Sequence, residues 1–437
     1  MKGEARERDE YGTPVSPDGL RVVQVTSDPD RNSGGVYLDC PSWTPDSRRF
    51  LFEREASADG SRKAGLWMCD TEDGFRSWPV MEFDRAEGFH NPGFDGVAGL
   101  GGALSPDGSC AYQILRRGRT VEVLRVDLET GRTERQPVAT APAPLRVRGA
   151  VSVSADSERL LMGCWLGDGL REGAPWGAII FNLRSGGSHT VEFGNGYRNM
   201  HAQYSHDPDP AFSHDLLLNA HLPKLADGSW LTPPDGSWRF KDLSEPADAL
   251  GCAYTVVRDD GTNWRVAPLG RAPHFVNGGH NTWRGREYSV VSAVYNATPE
   301  RWRSPLLEAA PVAARDEAEL WLGQRHPQAH PVDLTRKVIR ADSCHFGFDG
   351  TGRHCVSDTD GYNHGPNSFV WIGTYGEEAG GDPFLKTRYL LFPRTSWKGQ
   401  PAHPHPSLSP DGRFVVFQSD YPGRPQVHVA HGFDYPS

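Results

Sequence analysis

The chain has little that would build long helices and nothing that would cross a bilayer. Only five of its 437 residues are Met, whereas 49 are Gly and 35 are Pro, a balance that breaks helices and supplies turns. No apolar run reaches the length a transmembrane helix needs. The opening residues, Met1 to Glu10, are charged with no apolar stretch behind them, so they do not read as a secretory signal and the expected location is the cytoplasm. Lys and Arg number 46 against 56 Asp and Glu, and no basic run stands out, which removes nucleic acid from the expected partners. The seven cysteines are odd in number, scattered and without a C-x-x-C pair, a pattern of reduced thiols rather than a disulfide frame or zinc knuckle. Cys344 alone is set apart, because His345 follows it.

What is abundant is aromatic: 13 Trp, 13 Tyr and 19 Phe, which together with the turn formers indicates β structure. A small polar cluster followed by an apolar or alternating run recurs along the chain. It reads Thr44-Pro45-Asp46-Ser47 before Phe50-Leu51-Phe52, then Ser105-Pro106-Asp107-Gly108 and Ser154-Ala155-Asp156-Ser157. Looser copies are Ser205-His206-Asp207-Pro208, Trp283-Arg284-Gly285-Arg286 and Phe348-Asp349-Gly350, and the last is Ser409-Pro410-Asp411-Gly412 before Phe414 to Phe417. Pro-Asp-Gly offers a fixed φ, a side-chain acceptor and a position for positive φ in succession, which makes each copy a hairpin turn between the first two strands of a unit. Seven such units predict an all-β, seven-bladed β-propeller occupying residues 1–437 as one domain. A further copy, Ser16-Pro17-Asp18-Gly19, precedes the first unit, and the strand after it, about residues 20–27, is expected to close the last blade and hide its edges. Insertions around Pro223 to Ala247 and from Thr298 to Thr335 read as loops, the latter locally helical, of the kind that build binding walls.

In a propeller the strand before each such turn is innermost, so residues upstream of the turn face the central channel. Four consecutive units carry histidine there: His201, His280, His345, and the pair His403 and His405. The pair stands in Gln400-Pro401-Ala402-His403-Pro404-His405, and in extended backbone its two imidazoles leave on the same side. The prolines suit an edge or rim rather than the middle of a sheet. Imidazoles with Gln400 as an oxygen donor leave coordination positions open, as a catalytic metal requires, and such a set accepts Mn²⁺, Fe²⁺, Co²⁺, Ni²⁺ or Zn²⁺ alike.

These residues resemble the oligogalacturonate lyases, seven-bladed propellers of pectin breakdown that use manganese. The resemblance lies in Gln400, His403-Pro404-His405-Pro406-Ser407 and Ser419-Asp420-Tyr421, in Cys344-His345 before Asp349-Gly350, and in His280-Asn281-Thr282-Trp283. It implies that His345, Gln400, His403 and His405 hold Mn²⁺ or another divalent transition metal. It further implies that His280 is the base, with His201 and Tyr204 matching a phrase of the preceding blade. The family's functional Arg has no counterpart in register, where Ala253 stands; Arg258, Arg265 and Arg271 are nearby.

The reaction implied is β-elimination of a uronic-acid oligosaccharide. A cation on the carboxylate acidifies the C5 proton, neutral His280 takes it, and the leaving O4 gains a proton from water or from Tyr204. Two other readings use the same features: epimerisation or isomerisation of a sugar acid by the same proton abstraction, and a noncatalytic propeller of the translocation type that binds protein partners. Among the remaining candidates, His326 and His330 read as a surface loop, and His214 and His221 as a polar strand face. Trp165, Trp176, Trp230 and Trp238 could stack on sugars or pack between blades, and Tyr362-Asn363-His364 could reach the cavity.

Overall fold

The computed structural model describes residues 5–37, 40–84, 87, 101–130, 136–143, 146–166, 176–194, 201–221, 252–267, 276–298, 301–303, 306–313, 332–338, 343–359 and 367–437. These form seven antiparallel sheets, the blades of a β-propeller. Blade 1 runs outward from Ser33–Gly35 through Arg49–Arg54 and Ala64–Asp70 to Arg76–Phe83. Blades 2 and 3 begin at Gly102–Leu104 and Arg146–Val153, and blade 4 at Gln203–Tyr204. Blade 5 begins at Val276–Arg284, blade 6 at Phe346–Phe348 and blade 7 at Ser407–Leu408. These inner strands pack side by side around the channel.

Period-two alternation explains how the blades stack. On Arg49–Arg54, Phe50 and Phe52 turn toward Val416, Val427 and Val429 of blade 7, while Leu51 joins Leu104 and Ile114 of blade 2. Every blade so buries both faces, each fully covered Leu or Phe contributing about 1.5–3 kcal/mol. The ring is joined by the strand Arg21–Gln24, which pairs with Gln426–His431 of blade 7 in the register Arg21↔His431. Behind it Tyr11 is fully buried, its hydroxyl donating to His428 Nε2 at 3.0 Å, while His428 Nδ1–H donates to the Gln426 carbonyl.

The seven turns of the repeat each join the first strand of a blade to the second, whereas Ser16–Gly19 joins the two outer strands of blade 7, and in four of the seven the chemistry repeats. A Ser or Thr hydroxyl donates to the Asp two residues on, at 2.6 Å (Thr44, Asp46), 2.5 Å (Ser105, Asp107), 2.6 Å (Ser154, Asp156) and 2.8 Å (Ser409, Asp411). Each Asp then accepts a backbone N–H at 3.0 Å from Arg48, Ser109, Glu158 or Arg413. Between blades 5 and 6 the turns touch. A Cβ on Gly285 would lie 2.3 Å from the Gly352 nitrogen, and both glycines have positive φ, so neither position accepts a side chain.

One expectation needs correcting. The stretch after Thr298 is not simply loop or helix: Leu306–Ala309 is the third strand of blade 5, pairing with Glu287–Thr298, and Val312–Ala313 is a fifth strand on blade 4. The reason is burial, since Leu306 and Leu307 are 0% and 2% exposed between blades. Residues 314–331 and the insertion Pro223 to Ala247 lie outside the described residues. Among the described residues no helix is long and apolar enough to cross a membrane.

Candidate metal centre at the histidine end of the channel

The inner strands give the channel two different mouths. At the turn end lies a cavity of about 450 Å³ bordered by all seven blades, with Trp43, Asp107, His206, Trp283, Asp349 and Pro410 on its wall. At the opposite end, where the inner strands begin, the predicted histidines come together. The ring of His345 is centred 4.2 Å from His405, 4.6 Å from His280 and 5.6 Å from His403. His201 stands 5.5 Å from His280, edge to face. Ligand atoms of His345, His403 and His405 all lie within 4.8 Å of one another.

Local backbone sets these directions. Gln400–Ala402 forms a single 3₁₀ turn, which places His403 at its end and buries the Gln400 side-chain oxygen. His405 has φ 42° and His201 φ 40°, the left-handed region that β-carbon-bearing residues enter at a cost of about 1–2 kcal/mol. Two imidazoles are thus held on strained backbone. His345 and Cys344 sit in a bend just before the strand Phe346–Phe348. His345 donates Nδ1–H to Asp358 Oδ2 at 2.8 Å, and Asp358 Oδ1 accepts the His345 backbone N–H, also at 2.8 Å. The pair is fully buried. That bond fixes the tautomer and leaves Nε2 for the centre, as outer carboxylates do for metal-binding histidines.

Three residues not singled out from the sequence complete the surroundings. Tyr37 stacks on His201 at 5.6 Å and meets His405 edge-on at 5.3 Å. Trp397 covers His403 at 4.4 Å. Its segment is pinned by Asp420, which accepts the Ser396 backbone N–H at 2.8 Å and the Thr395 hydroxyl at 3.0 Å. Gln418 donates from Nε2 to His405 Nδ1 at 3.0 Å and to the Pro401 carbonyl at 3.1 Å. His405 Nε2 is buried and has no hydrogen-bond partner among the described residues, and the same holds for Gln418 Oε1. Because Gln418 Nε2 also donates to the Pro401 and Gln400 carbonyls, its amide is held in this orientation, and His405 offers its Nε2 lone pair to a cation when the ring proton sits on Nδ1 and Gln418 keeps only its carbonyl bonds.

Electrostatics favours the uncharged form of His280, His345, His403 and His405. Burial, then the positive forms of His201 and His403, pushes His280 down to about 3. Burial alone lowers His403 to about 4. Burial and the neighbouring imidazoles hold His345 and His405 well below the ordinary range. Neutral, desolvated, convergent imidazoles are the protonation state a divalent transition metal needs, so the donor set fits such an ion.

Other expected residues are placed elsewhere. Strand alternation turns Gln203 toward the channel, where Nε2 donates to the Asn281 carbonyl at 2.9 Å, and sends Tyr204 into the core between blades 3 and 4. The Tyr204 hydroxyl, wholly buried, donates to Asp259 Oδ2 at 3.0 Å, which sets it apart from the imidazoles as a proton donor. Arg258 and Arg265 pair with buried Asp215, Arg258 at 3.3 Å. Ala253 lies on the strand Cys252–Arg258 opposite Ala220. His214 bonds Asp156 Oδ2 at 2.7 Å, tying blade 4 to the turn of blade 3. His221, Trp165 and Trp176 lie on strands. Arg271, Trp230, Trp238, His326, His330 and Tyr362 to His364 lie outside the described residues.

Fold and site together define a seven-bladed propeller with a cluster of imidazoles at one mouth of its channel. Solved structures with the same fold include an oligogalacturonate lyase in complex with manganese, at 18% identity and TM-score 0.64, covering 99% of this chain and 97% of that one. An oligogalacturonate lyase from Vibrio parahaemolyticus matches at 16% identity and TM-score 0.61, covering 99% and 98%. No family model and no curated protein matches the chain.

Proposed function

We propose that the histidine end of the channel is the active centre of a metal-dependent lyase that cleaves uronic-acid oligosaccharides, oligogalacturonate-like, by β-elimination. The observation that carries this reading is the convergence of His345, His403 and His405, ligand atoms within 4.8 Å, with His280 beside them. The manganese named with one structural neighbour supports it. His345, His403 and His405 would hold the ion, with Gln400 as an oxygen donor. A bound Mn²⁺ or similar cation supplies Lewis-acid polarisation of the substrate carboxylate.

The rest of the chemistry belongs to the chain. His280 is half-buried, unlike its buried neighbours, and so is the imidazole a substrate can touch. Burial keeps it neutral, ready to accept the C5 proton. A uronate entering beside it brings negative charge, which favours the protonated imidazole and strengthens the base as substrate binds. His201, packed edge-on against His280 and stacked on Tyr37, is the second imidazole able to hold a proton for the leaving O4. Trp397 packs against His403 on the far side of the cluster.

The test is metal content of the wild type and His403→Ala, each assayed on short oligogalacturonides with Mn²⁺. Bound metal and an unsaturated product from the wild type alone are the expected result. Metal with no unsaturated product but an epimerised sugar acid would assign the same base to an isomerase. No bound metal in the wild type would sink the centre and leave a binding propeller.

A further inference from the structure

We propose that Cys344, His280 and His345 form a second cation site, suited to a thiophilic ion such as Zn²⁺, which shares His345 with the three-imidazole centre and excludes it. Adjacent residues on a strand point to opposite faces, but the bend at 344–345 lets both side chains turn the same way. Cys344 Sγ lies 3.8 Å from His280 Nδ1 and 3.9 Å from His345 Nε2, and the three ligand atoms are within 4.8 Å of one another. Tetrahedral zinc, with bonds of about 2.3 Å to sulfur and 2.0–2.1 Å to nitrogen, has a sulfur-to-nitrogen edge of about 3.6 Å. Both sulfur-to-nitrogen distances lie within a few tenths of an ångström of that edge.

The two sites differ in chemistry and compete for one atom. A thiolate with two imidazoles is a soft set that selects zinc or cobalt over manganese or magnesium, whereas His345, His403 and His405 bring no sulfur. His345 Nδ1–H is committed to Asp358, so His345 has only Nε2 to give, and one ion at a time can take it. Binding forms one sulfur–metal and two nitrogen–metal bonds, releases the thiol proton to solvent, and involves no oxidation. Ligation through His280 Nδ1 would fix that ring's remaining proton on Nε2 and leave no lone pair to accept another. The thiophilic ion would therefore inhibit. This consequence rests on His280 being the base; the binding site itself does not.

Cobalt is the probe. Titrating Co²⁺ into the full chain should produce a thiolate-to-cobalt charge-transfer band in the wild type and in His403→Ala, and none in Cys344→Ser. The Cys344→Ser variant should also bind Zn²⁺ at least about 10–100-fold more weakly, the loss that even an outer partner's removal causes. Circular dichroism of each variant checks the fold. Zinc-edge X-ray absorption of the wild type should show one sulfur neighbour, a reading that needs no variant. A wild type that holds cobalt without the band would overturn the proposal. So would loss of the band in folded His403→Ala, since the thiol would then belong to a single centre. A band present in a protein with no Mn²⁺-dependent turnover would keep this site and remove the lyase reading alone.

Discussion

The two ends of the inner strands are built on opposite rules. At the turn end the same hydroxyl-to-Asp-to-backbone network recurs in four blades with nearly constant distances, and its polar groups are satisfied locally. At the histidine end the described residues follow no such common pattern, although His201 of blade 4 and His405 of blade 7 share left-handed backbone. Blade 6 offers a carboxylate-backed imidazole, blade 7 a pair behind a 3₁₀ turn, blade 4 an imidazole on left-handed backbone, and blade 1 Tyr37. Repetition fixes the ring, and departure from repetition makes the site. A chain obeying one rule throughout would fold as well and bind nothing, because cation sites need convergent donors whose desolvation and strain are offset elsewhere in the structure.

The comparison breaks hardest at His280. On the proposed reading, replacing it with Ala should lower kcat by about 10²–10⁴, the usual contribution of a positioned base, and should leave Mn²⁺ content unchanged; equal loss of metal would deny it a separate role. Asp358→Asn acts one step further out. The amide keeps the shape of the carboxylate but not its charge, so Mn²⁺ affinity should fall about 10–100-fold with folding intact. Calorimetric titration of metal into both variants separates the two effects.

Much of this was legible because turn chemistry is local. Ser-Pro-Asp-Gly names its own geometry, and histidines at a fixed place before it had to share the channel. Asp358 was legible too, had the register been counted outward from the turn: Phe348 pairs with Cys355 and Phe346 with Ser357, so His345 must face Asp358. The same count from Ser407↔Val416 finds Gln418 opposite His405. It would also have removed Tyr204, which alternates away from His201 and Gln203. Tyr37 and Trp397 carry no such signal, since loops bring them to the channel and loop paths are set by tertiary packing.

Closure of the ring supplies a pH prediction. Burial pushes His428 down to about 3, against about 6.5 for a free imidazole. Between those values the unfolded chain binds the proton and the folded one does not. Stability from this group is therefore complete above pH 6.5 and is lost as pH falls toward 3, by up to about 1.4 kcal/mol per pH unit. Denaturant midpoints measured from pH 7 to pH 4 should fall, and less steeply in His428→Gln. An unchanged slope would place the titration elsewhere.

The smallest effects belong to the turn end, where they sharpen the contrast. Asp107 accepts the Ser105 hydroxyl and the Ser109 N–H in an exposed turn, so Asp107→Ala should cost about 0.5–1.5 kcal/mol. Ser157 occupies the position that Gly108 and Gly412 fill in sister blades, at φ 63° against 74° and 76°. Relief of the left-handed strain, about 1–2 kcal/mol, outweighs the added freedom Gly gives the unfolded chain, about 0.4–1 kcal/mol. Ser157→Gly should then raise the denaturant midpoint slightly and leave metal content and turnover alone. His405, at φ 42°, admits no such repair, because the residue that would relax the backbone removes the imidazole. If Ser157→Gly weakened metal binding, the two ends would be coupled and the division between them false.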